Sequence, residues 1–332
     1  MRALFHLTLL ILTLTAPGCV YAPLDLGSLG EVGKPFEARL TDGDDEQKVV
    51  LLRIDGEITG RGEDGFLSST PATTSQVRLV LDQARKDPDV RAVLLRINSP
   101  GGGVTASDVI HHELARFRAE TNKPIVAWFG DTAASGGYYV AMAADHIVAA
   151  PTCVTGSIGV IATFPNVEGL GEKIGVKVEA ITSGDFKDSG SMFRGMRPEE
   201  RAYLQALIDG MYARFVDVVV AGRVSAGLSR EDVLKLADGR VYTGSEALGH
   251  RLVDSVGYLE DALDAAAKAA GLSEPMLVAY ERRSLGGDPS SVYSAPSARV
   301  ARLLGADPAL EALSKALPAS GPTLLYRWRL GR

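Results

Sequence analysis

Short apolar runs separated by single amphipathic segments recur along this 332-residue chain from Lys48 onward. KVVLLRIDG (48–56) is β-branched and apolar and ends on a turn residue. Residues 73–87 then carry a helical stripe. VRAVLLRINS (90–99) is the next apolar run, followed by a glycine loop and a helix through about Glu120, and KPIVAWFG (123–130) follows in turn. Runs this apolar are too short to be core helices and too uniform to be half-exposed strands, so they read as strands buried on both faces. Strands joined by single helices are parallel, with right-handed crossovers. The pattern continues through HIVAAP (146–151), GSIGVIATF (156–164), a helix near 167–175 and VKVEAITSG (176–184). After Pro198 the chain reads as mainly helical to about 271, with a break at DGRVYTGSEALG (238–249), and MLVAY (276–280) reads as a last strand. Residues 284–300 are rich in Ser, Gly and Pro and read as flexible, and the tail from 301 is a candidate helix for a surface or partner.

The N-terminus carries a different signal. MRALFHLTLLILTLTAPGCV has Arg2, an apolar run from Ala3 to Leu14 and small residues before Cys19. That order describes a secretory signal in residues 1–19, with an apolar core too short to span a bilayer comfortably. Cys19 behind a small residue resembles a bacterial lipoprotein signal. Lipidation at Cys19, plain cleavage and retention as an uncleaved anchor all fit. Residues 20–47, rich in Gly, Asp and Pro, read as a tether to a domain at 48–283. With Cys19 processed, Cys153 has no disulfide partner, and its place beside an apolar strand makes it a core residue. A net charge of −6 argues against a nucleic-acid surface.

Three glycine-containing loops fall at strand ends, the edge where open α/β sheets hold ligands. In INSPGGGV (97–104), Gly101–Gly103 expose backbone N–H groups. The loop lacks the Lys-Ser/Thr of a P-loop and the G-x-G-x-x-G spacing. In DTAASGGYYVAMAAD (131–145), Ser135 stands alone among alanines and glycines, either as a nucleophile or as a helix N-cap. In ITSGDFKDSGSMF (181–193), Lys187 is a lone lysine in a turn. A lysine acts as a base only when neutral, and with an ordinary pKa of about 10.4 it needs burial or a closed-over substrate to be so near pH 7. Asp185 and Asp188 oppose this unless they point away. The histidines offer little: His6 lies in the leader, His146 follows the far end of the Ser135 helix, His111 and His112 lie well into another helix, and His250 sits at a surface helix end.

Taken together, INSPGG, AASGGYY, TGSIGV, TSGDFKD and RVYTGSEALGHRLVDSVG, in that order over roughly residues 48–270, resemble the signal peptide peptidases of the protease IV type. The resemblance implies a crotonase- or Clp-like spiral of βαβ units with a largely parallel sheet and a mainly helical region at 198–271. It implies a Ser-Lys dyad of Ser135 as nucleophile and Lys187 as general base. Ser157 then orients the lysine, and the N–H groups of Gly102 and Gly136 form the oxyanion hole, with no metal and no cofactor. Further expectations are peptide substrates such as leftover signal peptides and other apolar segments, a membrane-tethered place in the bacterial envelope outside the cytoplasmic membrane, and a homo-oligomeric ring in which one subunit's serine meets a neighbour's lysine. The alternatives are a catalytically silent envelope scaffold or chaperone, and a Clp-like Ser-His-Asp peptidase.

Overall fold

The computed structural model describes residues 35–64, 69–282 and 324–327. The expected signal with Cys19, and the expected flexible segment at 284–300, lie outside these residues. In chain order the elements are β1 (Pro35–Arg39), β2 (Asp44–Asp55), β3 (Glu63–Asp64), β4 (Ser69–Thr70), α1 (Thr73–Lys86), β5 (Val90–Ser99), β6 (Gly101–Gly103), α2 (Val104–Thr121), β7 (Ile125–Ala134), α3 (Gly136–Ala141), β8 (His146–Ala149), β9 (Val154–Gly156), β10 (Ile161–Ala162), α4 (Glu168–Ile174), α5 (Pro198–Gly222), α6 (Arg230–Leu236), β11 (Val241–Thr243), α7 (Gly244–Gly249), β12 (Ser255–Val256), α8 (Leu259–Ala270), β13 (Pro275–Arg282) and β14 (Leu324–Arg327).

The main sheet runs β1-β13-β2-β5-β7-β8-β12, and β9 with β11 branches from β7. All of its pairings are parallel except the antiparallel β1–β13 and β9–β11. The apolar runs are its centre: Val49–Leu52, Val93–Leu95 and Ile125–Phe129 are buried throughout. Helix α1 follows the expected stripe, burying Val77, Val80, Leu81 and Ala84 at helical spacing. It lies against β2, β13 and α2, while α8 covers β5, β7 and β8. The largely parallel α/β architecture is therefore the one expected.

Three expectations are corrected. Residues 35–47, assigned to the tether, join the sheet: β1 lies antiparallel to β13, with Ala38 opposite Ala279, and β2 begins at Asp44. This covers backbone groups that β13 otherwise leaves open at the sheet edge. The alternating VKVEAITSG is not a strand. A strand needs a neighbouring strand for its N–H and C=O groups, and 176–184 pairs with none among the described residues; Val176, Val178 and Ile181 stand exposed. Within the tail, Leu324–Arg327 is a strand and not a helix. It lies antiparallel to β6 on one side and to β10 on the other.

Candidate active site

The C-terminal ends of β5, β7 and β9 meet in one corner. Ser99 pairs with Ala133 and Ala134 with Gly156, so the chain leaves the sheet here at Pro100, Ser135 and Ser157. Ser135 is buried, with φ +54° and ψ −115°. A non-glycine residue in such a conformation is strained by about 1–3 kcal/mol and persists only where its surroundings hold it. Here its N–H donates to Gly156 O (2.8 Å), and its C=O accepts from Tyr139 N–H (2.9 Å). Ser135 stands at the N-cap position of α3, yet its hydroxyl makes no capping hydrogen bond. The N-cap alternative left open by the sequence is thereby closed.

The missing side chains around Ser135 have a steric cause. A Cβ on Gly136 lies 2.5 Å from Ser107 Oγ and 3.2 Å from both Gly101 Cα and Gly102 N, and one on Gly137 lies 3.0 Å from Ser99 O. A Cβ on Gly102 overlaps the Ile58 backbone. Only glycine lets α3 seat itself on the β5–β6 loop. The seating brings the Gly102 and Gly136 amides together beside the serine, where paired N–H donors can hold a developing oxyanion.

The helix carrying the elbow is tied down further along. Tyr139 Oη donates to the Asp108 carboxylate of α2, which also accepts from Arg214 of α5 at 3.1 and 3.3 Å. Neither Asp108 nor Arg214 was legible as part of the site, since they lie 31 and 75 positions from Tyr139 with no motif around them.

Ser157 directly follows the glycine that holds Ser135. It is buried, at φ +49°, and its N–H donates to Arg240 O (2.8 Å). Lys187 is exposed, in a turn where its own N–H donates to Gly184 O (3.1 Å). No hydrogen bond among the described residues joins it to Ser135. The structure thus groups Ser135, Ser157, Gly102 and Gly136, and no hydrogen bond among the described residues ties Lys187 to them.

The histidines are occupied otherwise. The His111 ring packs edge-on to Tyr139 at 5.5 Å, and burial pulls its pKa down to about 4. His146 Nε2 lies 3.1 Å from Ser255 Oγ, with Nδ1 4.0 Å from Asp254. That carboxylate is held by Arg223 (2.7 and 3.0 Å) and accepts from Ile147 N–H, so it serves the β8–β12 edge. His112 and His250 are exposed. Cys153 is fully buried, and burial pushes its thiol up to about 12, as befits a core residue. Among the described residues no cluster of His, Cys, Asp or Glu could hold a metal ion, and no helix is long and apolar enough to cross a membrane.

Residues 118–273 match the model of peptidase family S49. A putative signal peptide peptidase of Enterococcus faecium is 38% identical over 250 residues, covering 75% of this chain and 72% of its own. A putative protease of Synechocystis is 40% identical over 266 residues, 78% of this chain and 88% of that one. Protease 4 of Salmonella typhi is 40% identical over 241 residues, 73% of this chain but 38% of the longer relative. Similarity at this level, over most of this chain and of the first two relatives, makes it a serine protease, and the chain belongs to peptidase family S49.

Proposed function

We propose that the chain is an exported, membrane-tethered serine endopeptidase that uses Ser135 as nucleophile and Lys187 as general base. The observation that carries this reading is the strained Ser135 elbow with the Gly102 and Gly136 amides beside it. Neutral Lys187 takes the Ser135 proton, and Oγ attacks the peptide carbonyl carbon. The two glycine N–H groups hold the resulting oxyanion. The lysine ammonium then protonates the leaving amine, and water, deprotonated by the same amine, releases the acyl group. Ser157, one residue beyond the glycine that holds Ser135, orients the lysine.

Peptide binding is supported by β14. It runs antiparallel to Gly101–Gly103, with Tyr326 opposite Gly102. A substrate segment lying on the same strand gains main-chain hydrogen bonds next to the oxyanion amides. The small residues around Ser135 favour small or apolar side chains at the cleaved bond, in keeping with leftover signal peptides and other apolar envelope segments. The leader at 1–19, ending at Cys19, supplies the membrane tether.

The segment carrying Lys187 supports a shared dyad. Ile161, Leu170, Ile174, Ile181, Phe186 and Phe193 are exposed along it. So much apolar surface on one arm calls for a partner, and a second copy of the chain in a ring covers it and brings a neighbour's lysine to each serine.

Hydrolysis of a fluorogenic apolar peptide across pH 6–10 tests the reading in wild type, Ser135→Ala and Lys187→Ala. The expected result is loss of activity in both variants and a wild-type rise toward alkaline pH. Full turnover by Lys187→Ala refutes the base. No labelling of folded protein by a fluorophosphonate refutes the nucleophile and favours the silent scaffold.

A further inference from the structure

The turn that carries Lys187 is anchored behind the lysine by a charge cluster at the start of α5. Glu200 is buried, although it is a carboxylate in the first turn of a helix. Arg194 donates to it through Nη1 (2.9 Å) and Nη2, and Arg197 through Nε (3.1 Å) and Nη2 (2.6 Å). From this seat Arg194 reaches the turn. Its Nε and Nη2 grip the two carboxylate oxygens of Asp188 at 2.8 and 2.7 Å, and Nη2 also reaches the Asp188 carbonyl at 3.3 Å. Arg197 donates to the Asp185 carbonyl and lies 3.9 Å from Asp188 Oδ1. The Phe186 ring packs on Tyr203, 5.5 Å between centroids. Residues 185, 186 and 188 are therefore each held, while the Lys187 side chain has no ion pair or hydrogen bond among the described residues.

The charges around the lysine follow from this. Asp185 and Asp188 flank it on the turn. Arg194 and Arg197 stand behind, with Glu199, Glu200 and Arg201 at the start of α5 and Glu168 of α4 near Gly195. Two arginines and two carboxylates, Asp188 and Glu200, close the cluster at zero net charge. Asp188 is the acid next to Lys187 in sequence. Released from the arginine, it is a free carboxylate one residue from the lysine, and a paired ammonium keeps its proton.

We propose that Arg194, seated on buried Glu200, is a positioning residue for the base: it binds the Asp188 carboxylate and so keeps that carboxylate from pairing with the Lys187 amine. This rests on Lys187 being the general base. The bidentate grip needs a guanidinium, since a lysine cannot match both carboxylate oxygens and Glu200 at once.

The test is the pH profile of kcat/KM for the full chain on the fluorogenic apolar peptide. The variants are Arg194→Gln, Asp188→Asn, the double variant and Lys187→Ala, each checked by circular dichroism. Arg194→Gln is expected to move the acidic limb up by about one pH unit, a tenfold loss at a fixed pH on that limb. Adding Asp188→Asn returns the limb, because the released carboxylate is gone, and Asp188→Asn alone leaves it in place. A purely structural role lowers kcat at every pH without moving the limb, and that result overturns the inference. So does a double variant whose limb stays displaced. If Arg194→Gln does not fold, Asp188→Asn alone still decides: a limb moved to lower pH means the carboxylate already faces Lys187. An active Lys187→Ala defeats the base reading itself. An inactive Lys187→Ala with an unmoved limb in Arg194→Gln defeats only this inference.

Discussion

A single methyl group on Gly136 should disable the enzyme without unfolding it. The Cβ of Gly136→Ala meets Ser107 Oγ of α2 at 2.5 Å, against an ordinary contact of at least 3.4 Å, and lies 3.2 Å from Gly101 Cα and Gly102 N, so α3 must part from α2 by about 1 Å and lift off the loop with it. Ser107 cannot swing aside freely, because its hydroxyl is buried and donates to Gly103 O at 3.0 Å. Misplacing reacting groups by this much costs about a hundredfold in rate, and the Gly102 amide moves out of reach of the oxyanion at the same time. Overpacking of this kind costs about 1–3 kcal/mol of stability, which a large domain tolerates. The assay is kcat/KM on the peptide and the fluorophosphonate labelling rate, with Tm measured alongside. Ser107→Ala in the same chain removes the 2.5 Å contact and leaves those at 3.2 Å, so the double variant should regain about tenfold. Wild-type turnover by Gly136→Ala, or a double variant no better than the single, refutes the close seating of α3 on the glycine loop.

Three further outcomes are expected. His111 titrates near 4 when folded and about 6.5 when unfolded, so its contribution is fully present above pH 6.5 and is lost as pH falls toward 4. The loss is about 3 kcal/mol, and His111→Gln should flatten urea stability between those pH values. Cys153, buried and with its thiol pushed up to about 12, should resist iodoacetamide at pH 8 until denaturant is added, and rapid native alkylation would contradict its burial. Ending the chain after residue 282 removes the strand lying on Gly101–Gly103 and should speed fluorophosphonate labelling of Ser135, whereas an unchanged rate means that β14 does not compete for the site.

Much of the frame could be read locally. The run at 90–99 is β5 residue for residue, the stripe at 73–87 is α1 with its C-cap, and the glycines around Ser135 single it out in the sequence. Strand, helix and turn chemistry depend on neighbours within a few residues, so the sequence alone determines them. It also determined Cys153 as core, from the apolar strand beside it. Other features were not readable in this way. The alternation at 176–184 looked like a strand because periodicity records faces and not partners, and the tail strand at 324–327 was invisible because its partners lie some 160 and 220 positions earlier. The left-handed backbone of Ser135 is likewise set by Gly156 across the sheet and by Tyr139 in the helix.

The division is physical. By themselves the residues leave Ser135 open between nucleophile and N-cap and Lys187 as a lone turn lysine; the acyl-transfer expectation comes from the resemblance carried by the motifs around Ser135, Ser157 and Lys187. Tertiary structure alone decided where the charges go. Glu200 is buried between Arg194 and Arg197, and Arg194 on it also holds the Asp188 carboxylate. Ion pairs form between side chains that folding brings within about 4 Å, and no local pattern of charge names which acid each arginine will hold.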